Sequence, residues 1–305
     1  MLVVKFCGGL GNQMYQYAFM LKLKKLFPEC QIKKDLRDYR VANCHNGYEA
    51  ENIFTKLMPF SEASWSEVKQ IRGDIPICVG GKAAKIAEPL RKLVNERISK
   101  KREAHILDEV EMDVAHLKEK YGSRFEKEDF YLQGFWANMN YYAQEEQMIL
   151  ENFEFPKFKD ERNLEIQKEM QNCESVSVHV RRGDYVGTAF DVLTLNYYKK
   201  AIEAIKDKAE NPVFYFFSDD TAYIEKTFDY IKTKKIINWN RGKESWKDMQ
   251  LMSCCRHNIT ANSTFSQWGA MLNDNKDKMV IYPNKRLIDE KMKEIRLSGW
   301  KMVEV

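Results

Sequence analysis

The stretch LVVKFCGGLGNQMYQYAF, residues 2–19, shows how the chain begins to fold. A short apolar run, residues 2–6, leads into a glycine turn that starts at Gly8. Apolar side chains then recur at close to 3.6 residues over positions 12–27, which predicts an α-helix. A second short strand is predicted near residues 30–35, so the chain opens with a β-α-β unit.

The second half of the sequence also alternates strands with helices. The predicted strands are SVSVHV (175–180), VFYFFSD (213–219), KIINW (235–239), NITAN (258–262) and MVIYP (279–283). The predicted helices are 195–208, 245–256 and 264–273. Every connection is long enough for a crossover, and the second strand is apolar throughout, as in a parallel sheet. The sequence therefore predicts an α/β fold with an open parallel sheet in this half.

A stretch in the middle of the chain, ENFEFPKFKDER (151–162), is typical of a linker between two domains. We predict an N-terminal α/β domain over residues 1–155 and a C-terminal α/β domain over residues 156–285. The last segment, 286–305, is predicted to pack back on the N-terminal domain. Two Rossmann-type parallel sheets facing each other would leave a cleft, which is a usual place for a ligand.

The composition argues against several classes of protein. The formal charge is +4, from 49 basic and 45 acidic residues, without the concentrated basic stripe of a nucleic-acid binder. No stretch reaches the roughly 18 apolar residues of a transmembrane helix, and the N-terminus lacks the features of a signal peptide. The 7 cysteines are scattered without metal-ligand spacing, which indicates reduced thiols. We expect a cytoplasmic protein with no structural metal and no nucleic-acid partner.

Two segments of the first half have more than one interpretation. The basic segment 82–102 carries apolar residues at helical spacing, which favours an amphipathic helix with a solvated face. The alternative is a peripheral contact between its Lys/Arg face and anionic lipid at the inner face of the cytoplasmic membrane. The aromatic stretch FYLQGFWANMNYY (130–142) is expected to lie mostly in the core, with some rings available to stack on a sugar.

Three polar clusters stand where strands of the second half are predicted to end. In chain order they are His179, Arg181, Arg182 and Asp184; Asp219 and Asp220; and Asn262, Ser263, Thr264 and Phe265. Ligands of an open α/β sheet bind outside the carboxyl ends of its strands. The sequence therefore predicts one binding site formed by all three clusters.

The chemistry of these clusters suits a nucleotide diphosphate. On a strand His179 and Arg181 point to one face and Arg182 to the other. One arginine fork can then bind the diphosphate while its neighbour is tied to the protein, through Asp184 or Asp219. The Asn-Ser-Thr turn opens a helix whose N–H groups favour an anion, and a strand-end Asp can accept two N–H bonds from guanine. The simpler interpretations are a buried ion-pair network and a helix cap.

The glycine turn admits a competing interpretation as a dinucleotide-binding loop. Gly9 and Gly11 match two positions of the G-x-G-x-x-G pattern, but no third glycine follows. Asp35 stands about where that pattern places its acidic residue. An NAD-binding oxidoreductase would leave the arginine cluster unexplained, and we keep it as an alternative.

Six motifs in the same order resemble a known family: GGLGNQMYQYAF, YLQGFW, HVRRGDYVG, FSDD, SWKDMQLMSCCRHNITANSTFSQWGAMLN and VIYPNK. Together they look like the bacterial α-1,2-fucosyltransferases of the inverting glycosyltransferase family 11, from residue 3 to about residue 285. The resemblance implies a GT-B-like fold, GDP-β-L-fucose as donor, and transfer to O2 of a terminal galactose without a required metal. Two motif edges depart from the family pattern, at Gln267-Trp268 and at Tyr15.

The resemblance also assigns residues. The run His-Val-Arg-Arg-Gly-Asp is similar to the GDP-fucose motif of α-1,6- and protein-O-fucosyltransferases, which implies Arg181 as the β-phosphate ligand with His179 beside it. The glycine turn is similar to the Gly-x-x-Gly-Asn-Gln loop of protein-O-fucosyltransferases. It implies an acceptor-side loop with a catalytic asparagine, formed by Gly9, Gly11, Asn12 and Gln13.

The general base and the acceptor stay open. Asp184 is the carboxylate nearest to the arginine motif, and the alternative role for it is to orient an arginine. His45, Glu49 and Asp35 are other candidates, as is a relay through an asparagine or water. Lactose, N-acetyllactosamine and a galactose-terminated, lipid-linked repeat unit all fit as acceptors. A non-catalytic, glycan-binding relative of the transferases is the second alternative.

Overall fold

The computed structural model describes residues 1–41, 45–73, 105–291, 295 and 297–305. The chain divides into two units, Met1–Asn152 and Phe153–Val305, close to the predicted boundary after residue 155. The segment 82–102, predicted as a basic amphipathic helix, lies outside the described residues.

The first unit contains a four-stranded parallel sheet. Its strands are β1 (Leu2–Lys5), β2 (Ile32–Asp35), β3 (Ile106–Asp108) and β4 (Phe130–Gln133), in the order β2-β1-β4-β3. Its described helices are α1 (Leu10–Leu26), α2 (Arg37–Val41), α3 (Ala50–Ile53), α4 (Trp65–Arg72), α5 (Leu117–Phe125) and α6 (Glu146–Asn152). The predicted β-α-β opening is confirmed. The short strand β3 was not predicted, because its three half-buried residues give no periodic signal.

Helix α1 forms the centre of the first unit. It is buried over most of its length, and even Gln13 and Gln16 are inaccessible to solvent. The ring of Phe19 stacks on the indole of Trp136 with centroids 3.8 Å apart. Lys24 and Lys25 lie in the last turn of the helix, where positive charge complements the helix dipole.

The second unit contains a six-stranded parallel sheet with a small hairpin. The strands are β5 (Ser175–Val180), β6 (Val213–Ser218), β7 (Lys234–Ile237), β8 (His257–Ile259), β9 (Val280–Pro283) and β12 (Trp300–Val303), in the order β12-β9-β8-β5-β6-β7. The antiparallel hairpin pairs β10 (Lys285–Leu287) with β11 (Glu290–Lys291). The helices are α7 (Glu161–Gln171), α8 (Leu195–Lys206), α9 (Thr221–Thr227), α10 (Trp246–Cys254) and α11 (Thr264–Met271). The predicted α/β class with parallel sheets is confirmed.

Both faces of this sheet are covered, as the apolar sequence of β6 predicts. Phe214 and Phe216 pack with Tyr198 and Ile202 of α8 on one face. Tyr215, the next residue along the strand, joins the cluster of α7 and α10 on the other face. Because successive side chains of a strand point to opposite faces, a strand buried on both sides needs an unbroken apolar run.

The last segment of the chain corrects one prediction. We expected residues 286–305 to pack on the N-terminal domain, but β12 pairs with β9 at the edge of the second unit's sheet, with Trp300 opposite Val280. Gly299, at φ +80°, leads into this strand, and a Cβ there would lie 2.3 Å from the Lys278 carbonyl oxygen. A four-residue edge strand carries little periodicity, so the sequence did not reveal it.

The strand order creates a topological switch point beside β5. From β5 the chain adds β6 and β7 on one side, and it then returns to add β8 and β9 on the other. Ligands of open α/β sheets bind where the strand order reverses, at the carboxyl ends of the strands. The switch point lies between β5 and β8, and two of the three predicted clusters directly follow these strands.

A buried amide network joins α7 and α10 to the segment that follows β7. Asn163 and Asn240 exchange two side-chain hydrogen bonds of 2.9 and 3.1 Å. Asn240 Nδ2 also donates to Asp248 Oδ1 at 2.8 Å. Burial raises the pKa of Asp248 to about 7, against the opposing effects of Asn240 and of the Arg241 charge.

This network predicts a pH-dependent stability. The folded chain binds the Asp248 proton with a pKa of about 7 and the unfolded chain with 3.8, so stability falls as pH rises through this interval. Asp248→Asn keeps an acceptor for Asn240 but carries no charge, and we expect it to raise the Tm at pH 8 by about 3 to 6 °C. The gain should shrink towards pH 4 in thermal unfolding. Asp229→Asn, at an exposed site, is the control; an equal gain at both pH values would contradict the assignment.

Candidate functional site

Arg181 lies at the centre of the predicted cluster and is held by two carboxylates. Its Nη2 lies 2.8 Å from Asp184 Oδ1, and its Nη1 lies 3.1 Å from Asp219 Oδ2. Burial opposes the charge, but the Asp184 hydrogen bond and the Asp219 charge raise the pKa of Arg181 above its ordinary value. The guanidinium is therefore a fixed, permanent cation at the carboxyl end of β5.

Arg182 has a carboxylate and an aromatic partner of its own. Its Nε lies 3.1 Å from Asp220 Oδ2, and its guanidinium lies 3.8 Å from the centre of the Tyr223 ring. We expected one arginine to be tied to the protein and the other to be available. The structure ties both, since each has its own carboxylate partner. A diphosphate would have to compete with these carboxylates for either fork.

Asp219 and Asp220 also organise the backbone around the arginines. Asp219 Oδ1 accepts the Arg182 backbone N–H at 3.1 Å. Asp220 Oδ1 accepts the Tyr223 backbone N–H and caps α9. A Cβ on Gly183 would lie 2.6 Å from Asp219 Oδ2, so the glycine of the Arg-Arg-Gly-Asp run makes room for this carboxylate. Both acids thus have structural roles, which the guanine-binding interpretation did not include.

His179 lies beneath Arg181 and is neutral. The ring is buried, and its Nδ1 has no hydrogen-bond partner in the described part of the chain. Burial and the nearby Arg181 charge lower the pKa of His179 to about 3. The ring centre lies 5.9 Å from that of Phe265, which brings the first and third clusters together. His179 can therefore offer a hydrogen bond to a ligand but not a positive charge.

The Asn-Ser-Thr turn joins the same site. Ser263 is the N-cap of α11, and its Oγ accepts the Phe265 backbone N–H at 3.4 Å. Asn262 Nδ2 donates to the carbonyl oxygens of Phe190 and Arg286, at 2.9 and 2.8 Å. Asn262 Oδ1 is buried without a partner in the described ranges. Asn262 thus ties two loops to the start of α11, which begins at Thr264. One small pocket is lined by residues that include Arg181, Arg182, Tyr198, Tyr223 and Asn262.

The glycine turn of the first unit is held from within the protein. Gly8 has φ +80°, and Gly9 is the N-cap of α1. Gln13 Nε2 donates to the carbonyl oxygens of Gly8 and Gly47, at 3.2 and 2.8 Å. Gln13 Oε1 accepts the backbone N–H groups of Glu49 and Ala50, at 2.9 and 3.1 Å. Both ends of the Gln13 amide are used, so it fastens the loop 47–50 to the glycine turn.

The other predicted residues of this loop lie around the same turn. Gly11 is buried in the first turn of α1. Asn12 covers Gly8, where an added Cβ would come within 2.3 Å of Asn12 Nδ2. The ring of His45, which is exposed, packs against Gly9, where a Cβ would lie 3.4 Å from the ring.

The structure separates the candidate bases. Asp35 receives a two-pronged ion pair from Arg37 and a 2.7 Å hydrogen bond from Tyr131. Although burial opposes ionisation, these partners hold the pKa of Asp35 below its ordinary value, so it is a structural anion. Burial instead raises the pKa of Glu49, against a 3.1 Å hydrogen bond from Asn46. Glu49 fits a proton acceptor better than Asp35 does.

Three residues of these sites were not predicted. Tyr223 supports the Arg182 guanidinium, and Tyr185 lies 5.6 Å from Arg181. The position of Tyr185 within the Arg-Arg-Gly-Asp-Tyr run was a usable signal, since arginine often stacks on a nearby aromatic ring. Nothing in the sequence links Tyr223 to Arg182. Glu109 holds the turn after β4, and its sequence neighbourhood carries no motif.

The described residues contain neither a cluster of metal-binding side chains nor a membrane-spanning helix. Across these residues, no group of three or more His, Cys, Asp or Glu side chains is placed to hold a metal ion. None of the helices described is both long and apolar enough to cross a membrane.

The known proteins that this chain matches in the following comparisons are glycosyltransferases. The family model for glycosyl transferase family 11 matches residues 1–304. The α-1,2-colitosyltransferase of Escherichia coli is 29% identical over 280 residues, which cover 89% of this chain and 87% of the relative. The O-antigen biosynthesis glycosyltransferase WbnK of Escherichia coli is 38% identical over 135 residues, covering 43% of this chain and only 45% of WbnK.

A solved structure shows the same fold at low sequence identity. The α-1,6-fucosyltransferase NodZ, known from Bradyrhizobium and co-crystallised with GDP, aligns with a TM-score of 0.53 at 13% identity. The alignment covers 88% of this chain and 91% of NodZ. The predicted GT-B-like architecture is confirmed by this likeness.

Proposed function

Because the chain belongs to glycosyltransferase family 11, we propose that it transfers L-fucose from GDP-β-L-fucose to O2 of a terminal β-galactose. The observation that carries the donor assignment is the Arg181 guanidinium, fixed by Asp184 and Asp219 at the switch point of the sheet. NodZ, which shares the fold, has been co-crystallised with GDP and soaked with GDP-fucose. WbnK acts in O-antigen biosynthesis, which supports a surface glycan as acceptor.

The chemistry follows from where charge develops. As the bond between C1 of fucose and the β-phosphate oxygen breaks, the sugar becomes oxocarbenium-like and the departing GDP gains negative charge. Arg181 neutralises that charge, and its planar fork can pair with two phosphate oxygens at once. Neutral His179 offers a hydrogen bond beside it. With these cationic and N–H groups on the chain, we propose that the transfer proceeds without a metal.

The acceptor hydroxyl needs a group that takes its proton. Attack on C1 from the face opposite GDP inverts the configuration, from the β-linked donor to an α-linked product. Glu49 has a raised pKa and lies on the loop that Gln13 fastens to the glycine turn. We propose the glycine turn, with Asn12, as the acceptor side, and Glu49 as the preferred candidate base. Asp184 is instead engaged with Arg181.

A colitosyl donor is the second candidate, and one observation favours it. The α-1,2-colitosyltransferase matches 89% of this chain. GDP-fucose and GDP-colitose should therefore be compared on the same β-galactoside acceptors.

A lipid-linked acceptor would bring the enzyme to the inner face of the cytoplasmic membrane.

We expect GDP release from GDP-fucose to depend on a terminal β-galactoside, and the product to carry an α-1,2 linkage by NMR. Addition of EDTA is expected to leave the rate unchanged. Preferential turnover of GDP-colitose would replace the donor assignment and leave the linkage assignment intact. GDP binding without turnover of either donor over a broad panel of galactosides would favour a glycan-binding protein, and binding of NADH would restore the oxidoreductase alternative.

A further inference from the structure

The turn that follows β4 presents an exposed aromatic ring at the carboxyl edge of the first unit's sheet. Phe135 is 40% exposed, whereas Tyr131 within β4 and Trp136, the next residue after Phe135, are buried. In the described part of this unit, most aromatic side chains contribute to the core, as expected for large apolar rings. Phe135 is therefore a partly exposed ring at the sheet edge where ligands of α/β sheets bind.

The turn that carries Phe135 is rigidly built. One carboxylate oxygen, Glu109 Oε2, accepts the backbone N–H groups of both Phe135 and Trp136, at 2.9 and 2.6 Å. Tyr142 donates a 2.8 Å hydrogen bond to the Trp136 carbonyl oxygen. A Cβ on Gly134 would lie 2.5 Å from the Glu109 Cβ, so this approach requires glycine.

The same turn contains a strained residue. Trp136 has φ +55°, a conformation that costs free energy for any residue except glycine. Its indole is nevertheless fully buried on Phe19, and its Nε1 has no hydrogen-bond partner in the described ranges. Burying the Trp136 indole while keeping this backbone conformation directs the neighbouring Phe135 ring outward. Strain held in place by surrounding contacts is typical of functional turns.

The Phe135 turn is joined to the glycine turn by one side chain. Gln16 Nε2 lies 3.2 Å from the Cys7 carbonyl oxygen and 3.4 Å from the Gly134 carbonyl oxygen. Gln16 Oε1 accepts the Cys7 backbone N–H at 3.1 Å. Since β1 and β4 are neighbours with Val4 opposite Leu132, Phe135 stands beside the segment that leads into the glycine turn. The exposed ring thus belongs to the proposed acceptor side.

We propose that Phe135 determines acceptor specificity by stacking on the apolar face of the terminal galactose. β-Galactose places its hydrogens on C3, C4 and C5 on one face, because its O4 is axial and points to the other. These C–H groups are slightly positive, and they fit the negative face of an aromatic ring. This inference rests on the proposed function, and it adds the group that selects galactose at the acceptor side.

Phe135→Ala tests the inference through the acceptor alone. We expect the KM for lactose or N-acetyllactosamine to rise about tenfold, as for removal of the contact area of one ring. The kcat at saturating acceptor and the Kd for GDP should stay within about twofold of the parent values. Phe135→Trp should restore the KM, because an indole offers a larger stacking face. Tyr230→Ala, which removes a similarly exposed ring of the second unit, is the control.

Direct titration of lactose by NMR in the presence of GDP separates this inference from the proposed function. A Phe135→Ala protein that is folded by circular dichroism and binds lactose as the parent does would overturn the stacking role. Loss of lactose binding in Phe135→Ala, with recovery in Phe135→Trp, would support it. A parent protein that binds lactose but transfers no fucose would refute the proposed function, and the comparison of the variants would still decide the role of Phe135.

Discussion

Replacing Arg181 with alanine is expected to lower kcat by about 100-fold to 1,000-fold, the usual cost of removing one group that stabilises developing charge. Arg181 is placed for this role by its ion pairs of 2.8 and 3.1 Å to Asp184 and Asp219. Those carboxylates hold the guanidinium at the carboxyl end of β5, and the incoming phosphate competes with them for its N–H groups. Turnover should be measured as GDP release at saturating donor and acceptor, together with the Kd for GDP.

Two further variants make the Arg181 result specific. Arg181→Lys keeps the charge but loses the planar fork, and we expect it to recover only part of the rate. Arg256→Ala removes a different ion pair, 2.9 Å to Glu174, near the amino ends of β5 and β8. This control should retain the parental kcat. If Arg181→Ala turned over at a near-normal rate while folded, Arg181 would have to be removed from the site.

The arginine site could be predicted because its residues follow strands in the sequence. The runs after β5, β6 and β8 are each contiguous, and the ends of parallel strands necessarily meet at one edge of a sheet. What could not be predicted is how each charge is paired. Arg182 pairs with Asp220 and lies over the ring of Tyr223, whose backbone N–H donates to the same Asp220.

The fold, too, could be predicted from the sequence only in part. Long apolar strands such as β6 and the largely apolar helix α1 were evident, because elements that are buried on every side need apolar side chains along their length. The strand order was not evident, since the sequence of β5 does not say which strands lie beside it. The prediction for the segment that contains the final strand β12 was wrong for this reason. A short amphipathic segment fits any free sheet edge, and tertiary contacts decide which edge it joins.

The candidate bases show what only tertiary structure adds. Asp35, Glu49 and His45 had equal standing in the sequence, since each lies near the end of an N-terminal element. The hydrogen bonds from Arg37 and Tyr131 occupy the Asp35 carboxylate and argue against Asp35 as the base. Tyr131 is distant from Asp35 in sequence, so this environment could not be read from the sequence. Burial raises the pKa of Glu49, and the hydrogen bond from Asn46 only partly opposes this effect. The environment of each carboxylate, not its residue type, separates the structural role from the chemical one.

The second large effect is expected at Gln13, and it should appear first in stability. Gln13 is fully buried and makes four hydrogen bonds to backbone groups of Gly8, Gly47, Glu49 and Ala50. Gln13→Ala leaves these groups unsatisfied, and we expect the free energy of unfolding to fall by about 3 kcal/mol. Gln13→Glu should be destabilising as well, since it places a carboxylate oxygen against two carbonyl oxygens.

Urea denaturation and kinetics together distinguish this positioning role from direct contact with a substrate. If Gln13 fastens the loop 47–50 to the glycine turn, stability and kcat should both fall, and the pH dependence of kcat should change because Glu49 is no longer held in place. Gln147→Ala, at an exposed glutamine of α6 that bonds only Glu151 among the contacts described, should change neither. A Gln13→Ala protein with parental stability and a raised KM for the acceptor would show instead that the amide binds the sugar. The hydrogen bonds predict the first result, because both ends of the amide are already used within the protein.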